Sequence, residues 1–139
     1  MTAPSHKKPI ALVEDDPSMG ALVVQMLALH DLHTDHYASG FAFLKSSALQ
    51  GYEIVILDLS LPDIDGFDLI SALAKTAPHV DLVLISGRGQ ATLDSARLVA
   101  EGLEYTVLAT LNKPFSSQEL CMALRLEAVY AQTQSKSFA

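Results

Sequence analysis

Ile54-Val55-Ile56-Leu57-Asp58 is the stretch that decides the fold. Four apolar residues in succession, with no polar alternation, describe a strand covered on both faces. The run ends on a carboxylate. Ile10-Ala11-Leu12-Val13 likewise ends in Glu14-Asp15, and the run up to Ile85 ends in Ser86-Gly87-Arg88-Gly89. Val107-Leu108-Ala109-Thr110-Leu111 is followed, after Asn112, by Lys113-Pro114. Acids and a lysine at strand ends, rather than scattered over helices, predict a site at one edge of a sheet.

Helix-like patterns fill the intervals between these runs. The first strand is expected over Pro9 to Glu14, with Asp16 as N-cap and Pro17 opening a helix to about His30. Met19, Leu22, Val23, Met26 and Leu27 form its apolar stripe. A more polar strand from Leu32 to Tyr37 carries His33, Asp35 and His36, which marks it as an edge. Ser39 caps a short helix through Phe41 and Leu44. After the decisive strand, Leu59 to Asp65 is a loop marked by Pro62 and Asp65-Gly66. A helix from about Phe67 to Thr76 precedes a fourth strand from Val80 to Ile85. A helix from about Ala91 to Glu101 follows, with Gly102 as its stop. Leu103 to Leu111 holds a fifth strand, and Ser116 caps a last helix through about Tyr130. Five strand–helix units in alternation imply an α/β fold, a parallel sheet covered on both faces. The domain is expected over 9–131, between tails at 1–8 and 132–139.

At 139 residues, the chain has the length of one domain. Half its residues are hydrophobic and 18% are charged, the balance of a globular protein. A net charge of -7 argues against a nucleic-acid surface, which needs clustered Lys and Arg. No apolar run approaches the roughly 18 residues of a membrane span. The N-terminus has no secretory pattern and Cys121 is the single cysteine, so a reduced, cytoplasmic setting is expected.

In open parallel sheets, sites form beyond the carboxyl ends of the strands. Clustered carboxylates raise each other's pKa, and a divalent cation relieves that repulsion. An all-oxygen ligand set selects Mg2+, or Mn2+, over zinc. Asp15 and Asp58 are candidate direct ligands, with Glu14 acting through water and a backbone carbonyl near Ser60 joining them. Asp58, on the middle strand, is the best-placed nucleophile towards phosphorus. Lys113 and the Ser86 hydroxyl would meet charge on the transferred group. Gly87 and Gly89 leave the mouth of the site open.

Four motifs in order now carry a resemblance: Val13-Glu14-Asp15-Asp16-Pro17, the run Ile56 to Gly66, Ile85-Ser86-Gly87, and Lys113-Pro114-Phe115. From about Lys8 to Tyr130 the chain resembles the receiver domains of two-component response regulators. That resemblance implies a flavodoxin-like (βα)5 sheet in the order 2-1-3-4-5. It also implies Asp58 as phosphoacceptor, Glu14, Asp15 and the Ser60 carbonyl around Mg2+, and Ser86 and Lys113 on the phosphoryl group. A cis Lys113–Pro114 bond is implied too. The donor would be a histidine kinase or phosphotransfer protein. An output partner of unknown identity would read the signal, with self-association through the fourth helix, fifth strand and fifth helix. Such a module is a phosphoacceptor that assists its own chemistry, not an enzyme; alone, it signals or acts as a phosphate sink or shuttle. The stretch from Gly102 to Pro114 is also similar to receivers fused to EAL-type cyclic-di-GMP phosphodiesterases.

Two positions depart from the family pattern. Gly87 stands where alanine is usual, which implies a more open pocket and faster loss of the phosphoryl group. Thr110 replaces the usual Tyr or Phe, so the aromatic switch is absent or replaced. Other readings use the same acids. A haloacid-dehalogenase-like phosphatase needs an acid two residues after its nucleophile, where this chain has Ser60. A Toprim-type enzyme would pair Glu14 with Asp63 and Asp65, which read better as turn formers. A receiver-shaped scaffold would have no need of the intact acid set. His30, His33 and His36 read as surface residues, Cys121 as packing, and Arg88 either as a rim contact for phosphate or as a solvated side chain.

Overall fold

The computed structural model describes residues 9–125. The tails expected at 1–8 and 132–139, and the last helix beyond 125, lie outside the described residues. The elements are β1 (Ile10–Val13), α1 (Pro17–Ala28), β2 (Thr34–Tyr37), α2 (Gly40–Leu44), β3 (Ile54–Asp58), α3 (Gly66–Thr76), β4 (Asp81–Ser86), α4 (Gln90–Gly102), β5 (Val107–Asn112) and α5 (Ser117–Ala123). A single 3-10 turn at Leu49–Gly51, unmarked in the sequence, precedes β3. The strands form one parallel sheet in the order β2-β1-β3-β4-β5.

Alternation along each strand divides the core between the two faces. Ala11, Val13, Val55, Leu57, Leu82 and Leu84 pack with Phe43 of α2, Leu69 and Leu73 of α3, and Leu93 and Ala96 of α4. Ile10, Leu12, Ile54, Ile56, Val83 and Ile85 pack with Val23 and Leu27 of α1 and Leu120 and Ala123 of α5. Every residue of β3 is buried, as its unbroken apolar run requires. Leu22 departs from expectation: it is 47% exposed, and the buried face of α1 is Gly20, Val23 and Leu27. The inward stripe is narrower than the apolar one.

Four helix starts follow the expected chemistry, and α4 begins after Gly89 with no side-chain cap. Asp16 caps α1 through Ser18 and Met19, Ser39 caps α2, Asp65 caps α3, and Ser116 forms a capping box with Glu119. Helix ends do not. Gly102 is still inside α4, and the left-handed residue is Glu104 at φ 72°. Glu104 N–H donates to Glu101 O and Tyr105 N–H to Ala100 O, a Schellman closure. Buried Tyr105, whose hydroxyl donates to Ala77 O at 3.0 Å, anchors that turn in place of glycine's freedom. Asp31, at φ 65°, ends α1 through the same bond pattern. α5 stops at Ala123 with Arg125 at φ 61°, short of the expected unbroken run to Tyr130. β5 starts at Val107, not Leu103, because that closure occupies the preceding residues. No helix among the described residues is long and apolar enough to cross a membrane.

Candidate phosphoacceptor site

Strand register assembles the site. Val13 pairs with Leu57, which sets Glu14 beside Asp58; Asp58 pairs with Ile85, which sets Ser86 one residue further along. Ser86 pairs with Asn112, and Lys113 follows, its N–H donating to Ser86 O at 2.9 Å. A bulge between Leu82 and Val83 inserts Leu108 into the β5 side of the ladder. That extra residue puts Leu111 opposite Ile85 and delivers Lys113 to the pocket.

Glu14, at 0% exposure, and Asp58, at 1%, are buried side by side, and Asp15 lies at the surface. One carboxylate oxygen from each of the three falls within 4.8 Å of the others. Lys113 Nζ stands 2.7 Å from Glu14 Oε1 and 3.0 Å from Asp58 Oδ2. Ser60 N–H donates to Asp58 Oδ1 at 2.8 Å, and Asp16 N–H to Glu14 Oε2 at 3.1 Å. The Ser86 hydroxyl is fully buried and accepts Arg88 N–H at 2.9 Å. The Lys113–Pro114 bond is cis. A Cβ at Gly87 would lie 4.0 Å from Lys113 Cδ, so glycine widens the mouth beside the lysine stem.

One ammonium serves two buried carboxylates, and the balance shows in the proton affinities of Glu14 and Lys113. Burial raises the Glu14 pKa, with Asp58 adding to the rise; Lys113 and the Asp16 N–H oppose it without cancelling it. Burial alone would lower the Lys113 pKa, but Glu14 and Asp58 outweigh it and hold the ammonium above its ordinary value. A pH signature follows. Because the folded Glu14 pKa exceeds the unfolded 4.5, the folded chain holds more proton in that window and stability falls as pH rises through it. Glu14→Gln removes that dependence. Without divalent cations, the urea midpoint of the parent minus that of the variant should fall from about pH 4.5 upward, then level off once Glu14 is ionised. A flat difference would contradict the burial argument.

The remaining sequence candidates sort clearly. Asp63 is not at the acid cluster; it accepts Gly40 N–H at 3.2 Å and Phe41 N–H at 2.9 Å at the start of α2. Asp65 caps its own helix. The three histidines have separate partners: His30 meets Cys121 Sγ at 3.0 Å, His33 meets Asp35 at 2.7 Å, and His36 meets the Glu14 carbonyl at 2.7 Å. The Arg88 residue is exposed. One feature escaped the sequence reading: Asn112 donates to Gln90 at 2.8 Å and Gln90 to Asp94 at 2.9 Å, a polar relay from the end of β5 into α4. Only the position of Asn112 next to Lys113 hinted at it.

The family model for the response regulator receiver domain matches residues 10–125. The chain belongs to that family. Transcriptional regulatory protein CreB of Escherichia coli (strain K12) is 29% identical over 120 residues, 86% of this chain and 50% of CreB. Transcriptional regulatory protein TcrA of Mycobacterium tuberculosis (strain ATCC 25618 / H37Rv) is 32% identical over 116 residues, 84% of this chain and 44% of TcrA. The receiver thus spans about half the length of these curated relatives. Among solved structures, a response regulator from Colwellia psychrerythraea is 31% identical with a TM-score of 0.71, over 86% of this chain and 95% of its own. The signal receiver domain of an HD domain-containing protein from Pseudomonas fluorescens Pf-5, at 22% identity and a TM-score of 0.74 over 92% and 99%, shares the fold.

Proposed function

We propose that this receiver accepts a phosphoryl group on Asp58 from a histidine kinase or phosphotransfer protein and signals by altered partner binding. The observation that carries this reading is the shared contact of Lys113 with two buried carboxylates at the sheet edge. A buried carboxylate pair with one cation suits a site that takes a further cation and then an anion. The donor set fits Mg2+: three carboxylates, all oxygen, two of them buried. Asp15, Asp58 and the Ser60 carbonyl would hold the ion, with Glu14 acting through water. When bound, Mg2+ would neutralise charge on the transferring oxygens, and Mn2+ is a chemically equivalent substitute.

The chain's own groups do the rest. Ser60 N–H fixes the Asp58 carboxylate, whose oxygen forms the new O–P bond as the P–N bond of a phosphohistidine breaks; the departing imidazole recovers a proton. Lys113 moves from Asp58 Oδ2 towards a phosphoryl oxygen. The Ser86 hydroxyl gives up Arg88 N–H and turns to donate to another, which loosens the start of α4. The Gln90–Asn112 bond carries that change into α4 in the absence of an aromatic residue at Thr110. Exposed Leu98 on α4 (72%) and Met122 on α5 (52%) support self-association or output binding on this side. The negative charge favours protein partners over nucleic acid in a cytoplasmic setting.

The phosphatase reading lacks an acid at Ser60, and the Toprim reading lacks Asp63 and Asp65, both engaged as helix caps. The decisive experiment is labelling with a small acyl phosphate. One phosphoryl group per chain should appear with Mg2+, and none should form when a chelator is present before the donor is added. Turnover of the donor with no phosphoryl group held on Asp58, or metal-independent labelling, would overturn the proposal.

A further inference from the structure

We infer that His36 is a positioning residue for the acid pocket, acting through the peptide between Glu14 and Asp15; this rests on the proposed Mg2+ site. His36 pairs with Leu12 in the ladder, which turns its side chain towards α1. Its Nε2 lies 2.7 Å from the Glu14 carbonyl oxygen. A carbonyl only accepts, so the ring carries its proton on Nε2. The neighbouring Tyr37 carbonyl accepts Glu14 N–H at 3.0 Å. Both polar groups of the Glu14 backbone are therefore held from β2, one residue past the last ladder position of β1.

The Glu14 carbonyl and the Asp15 N–H share one planar unit, so the His36 bond fixes the orientation of that plane. Glu14 leaves from one end of it and Asp15 from the other. A donor that is not itself near the ion thereby sets how two of its three carboxylates approach it. The contact depends on α1. The His36 ring lies directly against Gly20, where a Cβ would overlap Cε1, Nε2 and Nδ1 together. Glycine at this position lets the ring pass between the helix and the strand end to reach the carbonyl.

The test uses the full chain and two readouts. Calorimetric Mg2+ titration should show affinity weakened about 10-fold by His36→Phe, which keeps the ring shape without the donor. His36→Gln, with an N–H to offer, should retain most of it. Gly20→Ala should weaken binding similarly, yet cost nothing further in a His36→Ala background. The metal-free readout is a long-range proton–nitrogen spectrum of the histidines, which should place the His36 proton on Nε2 and show the Asp15 amide shifted in His36→Phe. Unchanged affinity in His36→Phe, additive losses in the double variant, or a proton on Nδ1 alone would overturn the inference. If the parent bound no Mg2+, the proposed function would fail, and the nitrogen spectrum would still decide the His36 contact. His36→Phe replaces an exposed residue, so the test stands even if Gly20→Ala does not fold.

Discussion

Asp58→Asn abolishes phosphoryl labelling and, at the same time, stabilises the metal-free protein. The first effect follows from chemistry. An amide has no charged oxygen to form the mixed anhydride, so labelling should drop by about 100-fold or more. The second follows from burial. Glu14 and Asp58 are each at most 1% exposed and share one ammonium, so one carboxylate is undercompensated. Asparagine keeps an acceptor for Ser60 N–H and removes the surplus charge, leaving a one-to-one pair of Lys113 with Glu14. A gain on the order of 1 kcal/mol is expected at neutral pH with chelator present, read from urea unfolding. Equal labelling of parent and variant would remove Asp58 from the mechanism. A variant less stable than the parent would show that Lys113 balances both acids.

Lys113→Met works in the opposite sense. It strands two adjacent buried carboxylates with no cation, and unfolding free energy without Mg2+ should fall by about 3 kcal/mol at pH 7.5. The contribution of the lysine is fully present below its unfolded pKa of 10.5 and is lost only as pH rises through its raised folded value, so pH 7.5 lies inside the window. The deficit should shrink towards pH 5, as Glu14 takes up a proton, and shrink again when Mg2+ is added. Labelling should slow about 100-fold, the cost of removing one charged donor from a developing anion. A deficit indifferent to both pH and Mg2+ would mean that the lysine supports the fold by packing alone.

The architecture was readable because β3 and β4 are apolar without interruption and each ends in a chemically distinct residue. Asp58, Ser86 and Lys113 are legible for the same reason: a polar group closing or following a buried strand has few structural explanations. What stayed hidden depends on three-dimensional register. Leu108 is one more apolar residue in β5 until the bulge is seen to shift Leu111 onto Ile85. Glu104 carries the left-handed turn that composition assigns to Gly102, and the turn at Asp31 is left-handed too, because buried Tyr105 and half-buried Leu32 decide where the chain folds back. His36 reads as a surface residue, and it is exposed; only its pairing opposite Leu12 and the bare backbone of Gly20 reveal its contact with Glu14.

Asp63 has a consequence for the energetics of ion capture. The loop after β3 is fastened at its near end by Ser60 N–H on Asp58 and at its far end by the Asp63 carboxylate on the first turn of α2. A segment tethered at both ends has already surrendered much of its freedom during folding. At the proposed Mg2+ site, an incoming cation would then meet a preorganised ligand shell and lose little affinity to ordering it.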